Sequence, residues 1–459
     1  MTKTADYDLL IVGGGINGAG IARDAAGRGI RSLLVEQGDF AGATSSASTK
    51  LVHGGLRYLE HYEFRLVAES LAEREVMLRI APPLVKPLQF VMPHVPTLRP
   101  AWMIRAGLWL YDRMGGRSSL PRSGGARLHG EGLGAGLKPE FTRGFTYWDT
   151  RVDDARLVIV NLRSAVEHGA AVLPRTRLVE AHREAGVWSA TLASSAGEQR
   201  VTARVLVNAA GPWVGEVIGR TASTMPKARV QLVKGSHIVV PRVHDGEHAY
   251  ILQNTDRRIV FIIPYLNRWS LIGTTDVAVD DPAGPWTITP EETRYLLDAA
   301  NRYLARPLAE ADIVWSFAGI RPLYDDGQGD PAAITRDYTL VVDDRDGVPE
   351  LAIVGGKLTT YRKLAETVLA RLRPWLATTR GPWTAHEALP AGAALPGDPG
   401  LDFGGGLHQR EVEYCIEHEW ARSADDILWR RTKAGLAMTP DERASFAAWF
   451  QGIIGDRRT

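Results

Sequence analysis

The sequence predicts an α/β protein with three parts: a Rossmann-like domain assembled from separated stretches of chain, a discontinuous antiparallel-sheet domain, and a short C-terminal helical domain. Three observations carry this. At the N-terminus an apolar strand, a glycine-rich turn, a helix and a second apolar strand follow one another, the order of a βαβ unit. Residues 229–275 hold several β-rich runs, among them His237-Ile238-Val239-Val240 and Ile259-Val260-Phe261-Ile262-Ile263. Far along the chain, Leu351-Ala352-Ile353-Val354 runs into Gly355-Gly356 and a long helix to about Leu372, so the first motif has a distant counterpart.

Taken in order, residues 7–12 (Tyr-Asp-Leu-Leu-Ile-Val) read as a buried parallel strand, because their apolar run is nearly continuous. A helix to about Arg28 follows the glycines, and Ser32-Leu33-Leu34-Val35 ends at Glu36. Residues 44–80 pass from Thr and Ser through a glycine turn into a charged helix. Residues 115–136, rich in Gly, Ser and Arg, read as a loop. Apolar spacing predicts a helix over 153–168, and alternation predicts strands over 171–207. The last of these, Val205 to Asn208, leads into Ala209-Ala210-Gly211-Pro212. Residues 290–305 return to helix. Residues 379–406, rich in Pro, Gly and Ala, read as a linker, and 407–459 as a small helical segment. This assigns 1–80, 146–225 and 330–378 to the nucleotide-binding domain, and 81–145 and 226–329 to a substrate-binding domain.

Composition narrows the function. Lys plus Arg total 54 and Asp plus Glu 53, without the basic excess of a nucleic-acid binder. The single cysteine, Cys415, excludes an internal disulfide and suits a reducing compartment. The N-terminus shows no signal-peptide pattern, and no apolar run is long enough for a membrane-spanning helix. No H-E-x-x-H pattern or thiolate set suggests a metal site, and no G-x-S-x-G elbow suggests a serine hydrolase.

Gly13-Gly14-Gly15-Ile16-Asn17-Gly18 satisfies G-x-G-x-x-G. Gly13 allows the tight turn, Gly15 lets the backbone approach a pyrophosphate, and Gly18 lets helix and strand pack closely. The helix N-terminus offers unpaired N–H groups to the phosphates. Glu36 ends the next strand, where a carboxylate accepts from ribose hydroxyls. On its own such a turn is a weak signal; with strand, helix, strand and acid in order it points to a dinucleotide. Thr44-Ser45-Ser46, the small-residue turn at Gly211, and the strand–turn–helix carrying Gly356, Leu358 and Thr359 would embrace a long cofactor from both ends of the chain. That is the habit of FAD. Backbone N–H groups there, with Lys357, would stabilise negative charge near N1 of reduced flavin.

These residues resemble the bacterial FAD-dependent glycerol-3-phosphate dehydrogenases, within the D-amino-acid-oxidase-like flavoproteins. The likeness runs from about Tyr7 to Trp375 and resumes from about Glu411 to Leu436. It rests on long blocks: Gly13 to Gly29, Ala43 to Glu60, Lys234 to His244, Ala318 to Leu323, Ala333 to Tyr338, and Gly355 to Glu366. The resemblance implies oxidation of sn-glycerol 3-phosphate to dihydroxyacetone phosphate. It also implies a membrane quinone as acceptor, a homodimer, and peripheral attachment to the inner face of the cytoplasmic membrane. The family's C-terminal domain is usually longer than the stretch found here.

The substrate needs an anion site, a base for its C2 hydroxyl, and the flavin N5 near C2. On motif match the resemblance places Arg57, Arg321 and Lys357 in the substrate pocket, with Tyr58 beside Arg57. Arginine suits phosphate through bidentate, charge-assisted bonds. Taken alone, such side chains are commonly surface ion-pair partners. His237 is the candidate base, since imidazole titrates near neutrality; its plain alternative is a satisfied core histidine. Arg321 is an alternative stabiliser of the developing alkoxide, and His53 a lower-ranked pocket histidine. Residues 99–117 place Trp102, Trp109 and Tyr111 among four arginines and one aspartate, which suits a membrane-surface helix, a core helix or a dimer face. A glycerol-3-phosphate oxidase using O2, an amine oxidase of the same superfamily and a non-catalytic flavin sensor are the alternatives in function.

Overall fold

The structure is a computed structural model that describes residues 5–130, 132–221, 223, 230–284, 286–324, 337–392 and 397–456. Residues 333–336 of the resembling block lie outside the described residues.

Two sheets organise the chain. The first contains β1 (Tyr7–Val12) and β2 (Ser32–Val35), joined through helix α1 (Ile16–Gly27). β1 lies between β2 and the strand Gly197–Asn208, parallel to both, with Leu9 opposite Ser32 and Val205. The strand Glu350–Val354 lies parallel beyond Gly197–Asn208, and Ala171–Leu173 parallel beyond β2. Stretches from the beginning, middle and late chain therefore pair side by side. β2 and Glu350–Val354 are wholly buried, as continuously apolar parallel strands require. Helix α1 packs with helices Asp154–Glu167 and Tyr361–Leu372 over one core that includes Ile21, Ala25, Leu157, Leu364 and Val368. Within it Tyr361 and Asn161 exchange a buried hydrogen bond.

The second sheet has ten strands and is mostly antiparallel. At one end Val230–Pro241 pairs with Trp315–Tyr324 and Trp269–Gly273; at the other Val85–Pro93 pairs with Arg143–Val152. One parallel contact, Ala249–Gln253 on Val85–Pro93, joins the halves. Arg143–Val152, which the boundary at 146 cuts, and Leu51–Val52, grouped with the nucleotide domain, pair with each other in this second sheet. Hydrophobic spacing identifies a strand but does not say which sheet it joins. Within the expected loop 115–136, Gly124–Arg127 forms a short edge strand on Arg143–Val152. Its Gly-rich composition hides it from propensity, and edge pairing supplies the hydrogen bonds.

The C-terminal segment has its own small core of Val412, Ile416, Ile427, Phe446 and Phe450, with helices Gln409–His418 and Pro440–Asp456. It is clamped to the loop after β2. Arg431, fully buried, forks onto Asp39 at 2.7 and 2.8 Å, and Arg430 adds a third bond to the same carboxylate. Trp429 stacks on Trp315 at 5.1 Å, and Arg156 pairs with Glu419. Among the described residues no helix is long and apolar enough to cross a membrane.

Candidate active site

A cavity of about 710 Å³ opens between the two sheets, within the size of small-molecule sites. One end is built on the glycine turn. Gly13 has φ of +116°, and a Cβ there would lie 2.4 Å from the Ala209 carbonyl oxygen. A Cβ on Gly18 would lie 2.0 Å from the Gly13 carbonyl oxygen, so this helix can start so close to β1 only with glycine there. Gly15 caps α1 without a side-chain partner, and the Ile16 N–H donates to Ser45 Oγ at 3.0 Å. Gly13, Gly15 and Asn17 line the cavity; Gly18 sits beneath it as a packing residue.

Glu36 also lines the cavity, and its carboxylate accepts the Gly14 and Gly38 N–H groups, each at 2.7 Å. Burial pushes its acidity weaker than usual despite those bonds. The second glycine turn closes on the first: Asn17 Nδ2 donates to the Gly355 carbonyl at 3.3 Å, while Asn17 Oδ1 is buried with no partner among the described residues. Gly356, Leu358 and Thr359 line the same wall, and Thr359 Oγ1 ties to the His53 backbone on both its N–H and carbonyl sides. Thr44 Oγ1 donates to the Ile320 carbonyl at 2.5 Å, and Gly211 lies across the cavity. The Ser46 hydroxyl donates to the Ala43 carbonyl and its carbonyl accepts Lys50 Nζ.

These features fit a dinucleotide. They comprise a helix start with free donors, a held carboxylate at the strand end, and an unpartnered buried amide oxygen. Ser423, Asp426 and Arg430 of the C-terminal segment, which no local motif marks, also line this end. Their signal is only tertiary, through the Asp39 clamp.

The other end collects the expected substrate residues. Arg57, Tyr58, His237, Arg321 and Lys357 all line the cavity. Gly55, in the left-handed region at φ +78°, turns the chain into the short helix Leu56–His61 that presents Arg57 and Tyr58. Lys357 Nζ stands 3.6 Å over the Tyr58 ring, a close cation–π contact. Arg57 makes no ion pair among the described residues. Arg321 is fixed by Asp276 at 2.9 Å and by the Thr275 carbonyl at 3.2 Å. Asp276 and Thr49 were not singled out from sequence.

His237 sits on Val230–Pro241 opposite Gly273, where a Cβ would strike its ring at 2.1 Å. The ring stacks on Phe317 at 4.8 Å, and Nε2 lies 3.0 Å from Thr49 Oγ1. Nδ1 is buried without a partner among the described residues. Burial, with Arg321 and Lys50 nearby, holds the imidazole neutral to well below the usual histidine range. His53, also on the cavity wall, is pushed down to about 3 by burial and by Lys357. Among the described residues no cluster of three or more ligating side chains could hold a metal.

The family described as FAD dependent oxidoreductase (DAO) matches residues 8–362. A glycerol-3-phosphate dehydrogenase of Pseudomonas aeruginosa is 50% identical, covering 97% of this chain and 95% of its own. A D-erythritol 1-phosphate dehydrogenase of Brucella abortus is 45% identical over 98% of this chain and 99% of its own. The structure of a Bacillus halodurans glycerol-3-phosphate dehydrogenase complexed with FAD superposes with a TM-score of 0.68, covering 99% and 95% of the two chains at 24% identity, a likeness of fold. The two glycine turns, the held Glu36 and the matched family agree on the cofactor, and the chain belongs to the FAD-dependent oxidoreductases of the DAO family.

Proposed function

We propose that this protein oxidises sn-glycerol 3-phosphate to dihydroxyacetone phosphate with FAD as the hydride acceptor and passes the electrons to a membrane quinone, as a homodimer held peripherally at the inner face of the cytoplasmic membrane. The observation that carries the substrate reading is that Arg57, Arg321, Lys357 and His237 all line one cavity. Two cations, Arg57 and Lys357, suit a phosphate dianion while Arg321 serves the C2 oxygen; a lone carboxylate substrate, as in an amine oxidase, calls for fewer. The relatives named above support a phosphorylated polyol.

FAD supplies the hydride acceptor when bound. Arg57 and Lys357 hold the phosphate, with Tyr58 fixing Lys357 from below. Arg321, held by Asp276, stabilises negative charge developing on the C2 oxygen. His237 takes the hydroxyl proton at Nδ1, provided Nε2–H donates to Thr49; because it is neutral at working pH, it is always in the accepting form. An adjacent phosphate dianion would favour the imidazolium that results. Residues 1–80, 146–225 and 330–378 supply the FAD side of this arrangement in our reading, with Arg143–Val152 and Leu51–Val52 moved to the substrate side.

The test is an anaerobic titration of the FAD-loaded protein with glycerol 3-phosphate and, in parallel, with D-erythritol 1-phosphate. Bleaching of the flavin band by the first at lower concentration supports the reading. An unbleached spectrum with both overturns it in favour of a flavin-binding sensor. Reoxidation by a short-chain quinone, against peroxide formation in air, then separates the dehydrogenase from an oxidase.

A further inference from the structure

Thr49, whose hydroxyl meets His237 Nε2 at 3.0 Å, lies on the loop between the short helix Thr44–Ser46 and the strand Leu51–Val52. The loop is sharply bent. Lys50 sits in the left-handed region at φ +60°, which a residue with a side chain seldom adopts. The bonds that hold it there converge on one carboxylate. Asp154, fully buried at the start of helix Asp154–Glu167, accepts from Ser48 N at 3.1 Å, from Ser48 Oγ at 2.7 Å, and from Lys50 Nζ at 2.8 and 2.9 Å. Ser48 Oγ in turn accepts Lys50 N at 2.9 Å. The residues on both sides of Thr49 are therefore tied to Asp154, and the hydroxyl between them is the group that reaches the imidazole.

The same ion pair backs the ring that clamps His237. Lys50 Nζ lies 4.9 Å from the centroid of Phe317, and Phe317 stacks on His237 at 4.8 Å. The strand carrying Phe317 also presses on the loop: a Cβ on Gly319 would lie 2.8 Å from the Ala47 Cβ. Burial works against charge on Asp154, but Lys50, and Lys433 from the C-terminal segment, hold its carboxyl below the usual range, so it stays an ionised acceptor. A buried carboxylate is tolerated only when its bonds are complete, and complete bonds leave its partners one arrangement. We propose that Asp154 is a positioning residue for proton transfer: by holding Ser48 and Lys50 on either side of Thr49, it sets the Thr49 hydroxyl against His237 Nε2 and so selects the tautomer whose Nδ1 accepts. The inference rests on the reading of His237 as proton acceptor and adds the residue that orients its partner.

The test is anaerobic stopped-flow bleaching of the FAD-loaded protein by glycerol 3-phosphate in wild type, Asp154→Asn, Ser48→Ala, Thr49→Val and the two double variants that include Thr49→Val. Asp154→Asn is expected to slow bleaching about tenfold and Ser48→Ala about threefold, each with KM within about twofold. In the Thr49→Val background each is expected to change the rate by less than about twofold, because the contact it acts through is already gone. Ser48→Ala keeps the Asp154–Lys50 pair and decides the question if Asp154→Asn loses its flavin. Tyr361→Phe, which removes a buried bond to Asn161 on the same helix, is the control: a lower melting temperature with an unslowed bleaching rate is expected. A readout apart from turnover is nitrogen NMR of the FAD-loaded protein carrying labelled histidine, with His237→Gln to assign the signals. Wild type is expected to show Nδ1 of His237 unprotonated, and Ser48→Ala and Asp154→Asn to move it toward the average of the two tautomers. An unchanged His237 tautomer in Ser48→Ala overturns the positioning role and leaves His237 in place, and so does slowing that persists undiminished in the Thr49→Val background. Wild-type bleaching in Thr49→Val overturns the His237 reading itself, and this inference with it.

Discussion

Thr49→Val isolates the one hydrogen bond that the structure gives the candidate base. The side chain keeps its β-branch and nearly its volume and loses only the hydroxyl 3.0 Å from His237 Nε2. Phe317, stacked at 4.8 Å and 14°, still clamps the ring, so the imidazole stays in place with one buried nitrogen newly unpaired. Such a neutral bond contributes about 1 kcal/mol net, and orphaning a buried polar atom costs about 1–3 kcal/mol. Freed from Thr49, the neutral ring also loses its bias toward the tautomer whose Nδ1 can accept. A loss of about 1.4 kcal/mol in the transition state is tenfold in rate. We therefore expect Thr49→Val to lower kcat about tenfold with KM within twofold, and to slow flavin bleaching by substrate in stopped flow to the same degree. Thr49→Ser is expected to recover most of the rate. A Thr49→Val enzyme with wild-type bleaching rate refutes the role of this bond and, with it, His237 as proton acceptor through Nδ1.

Arg57→Gln is expected to raise KM for the phosphorylated substrate by at least about tenfold, the value of one charge-assisted contact; steady-state kinetics showing an unchanged KM would remove Arg57 from the phosphate site. Gly18→Ala forces a methyl to 2.0 Å from the Gly13 carbonyl oxygen, so the purified protein is expected to be colourless and to refuse FAD on reconstitution, read by absorbance. Arg431→Met breaks a buried fork onto Asp39 while Arg430 remains; a loss of about 3 kcal/mol in denaturant unfolding is expected, together with weaker FAD retention, because Arg430 also lines the cofactor cavity. Burial raises Glu350 to about 7. Its folded value lies above its unfolded one, so its destabilising effect builds as pH rises from about 4.5 to about 7, is complete above that, and fades below about 4.5. Relative to wild type, Glu350→Gln is expected to gain about 3 kcal/mol at pH 9 and under about 1 kcal/mol at pH 5; a gain independent of pH would contradict the assignment.

Much of the cofactor end could be read from the letters because its signals are local. The glycines at Gly13 and Gly18 meet steric limits that only the missing Cβ relieves, and residues 9–12, β2 and residues 351–354 carry continuous apolar runs that suit a doubly covered parallel sheet. The substrate residues became legible only through resemblance, since an arginine beside a glycine pair looks like any surface cation.

The sequence by itself determined the parallel nucleotide-binding unit, the glycine geometry at its phosphate end, and the β-rich runs that build much of the second sheet, because each depends on neighbours within a few residues. Only the tertiary structure decided that Leu51–Val52 and Arg143–Val152 belong to that second sheet, that Thr49 meets His237 across 188 positions, and that Arg430 and Arg431 reach Asp39 nearly 400 residues away. Those contacts are set by which buried faces and charges find partners once the chain has collapsed. No local spacing encodes that choice.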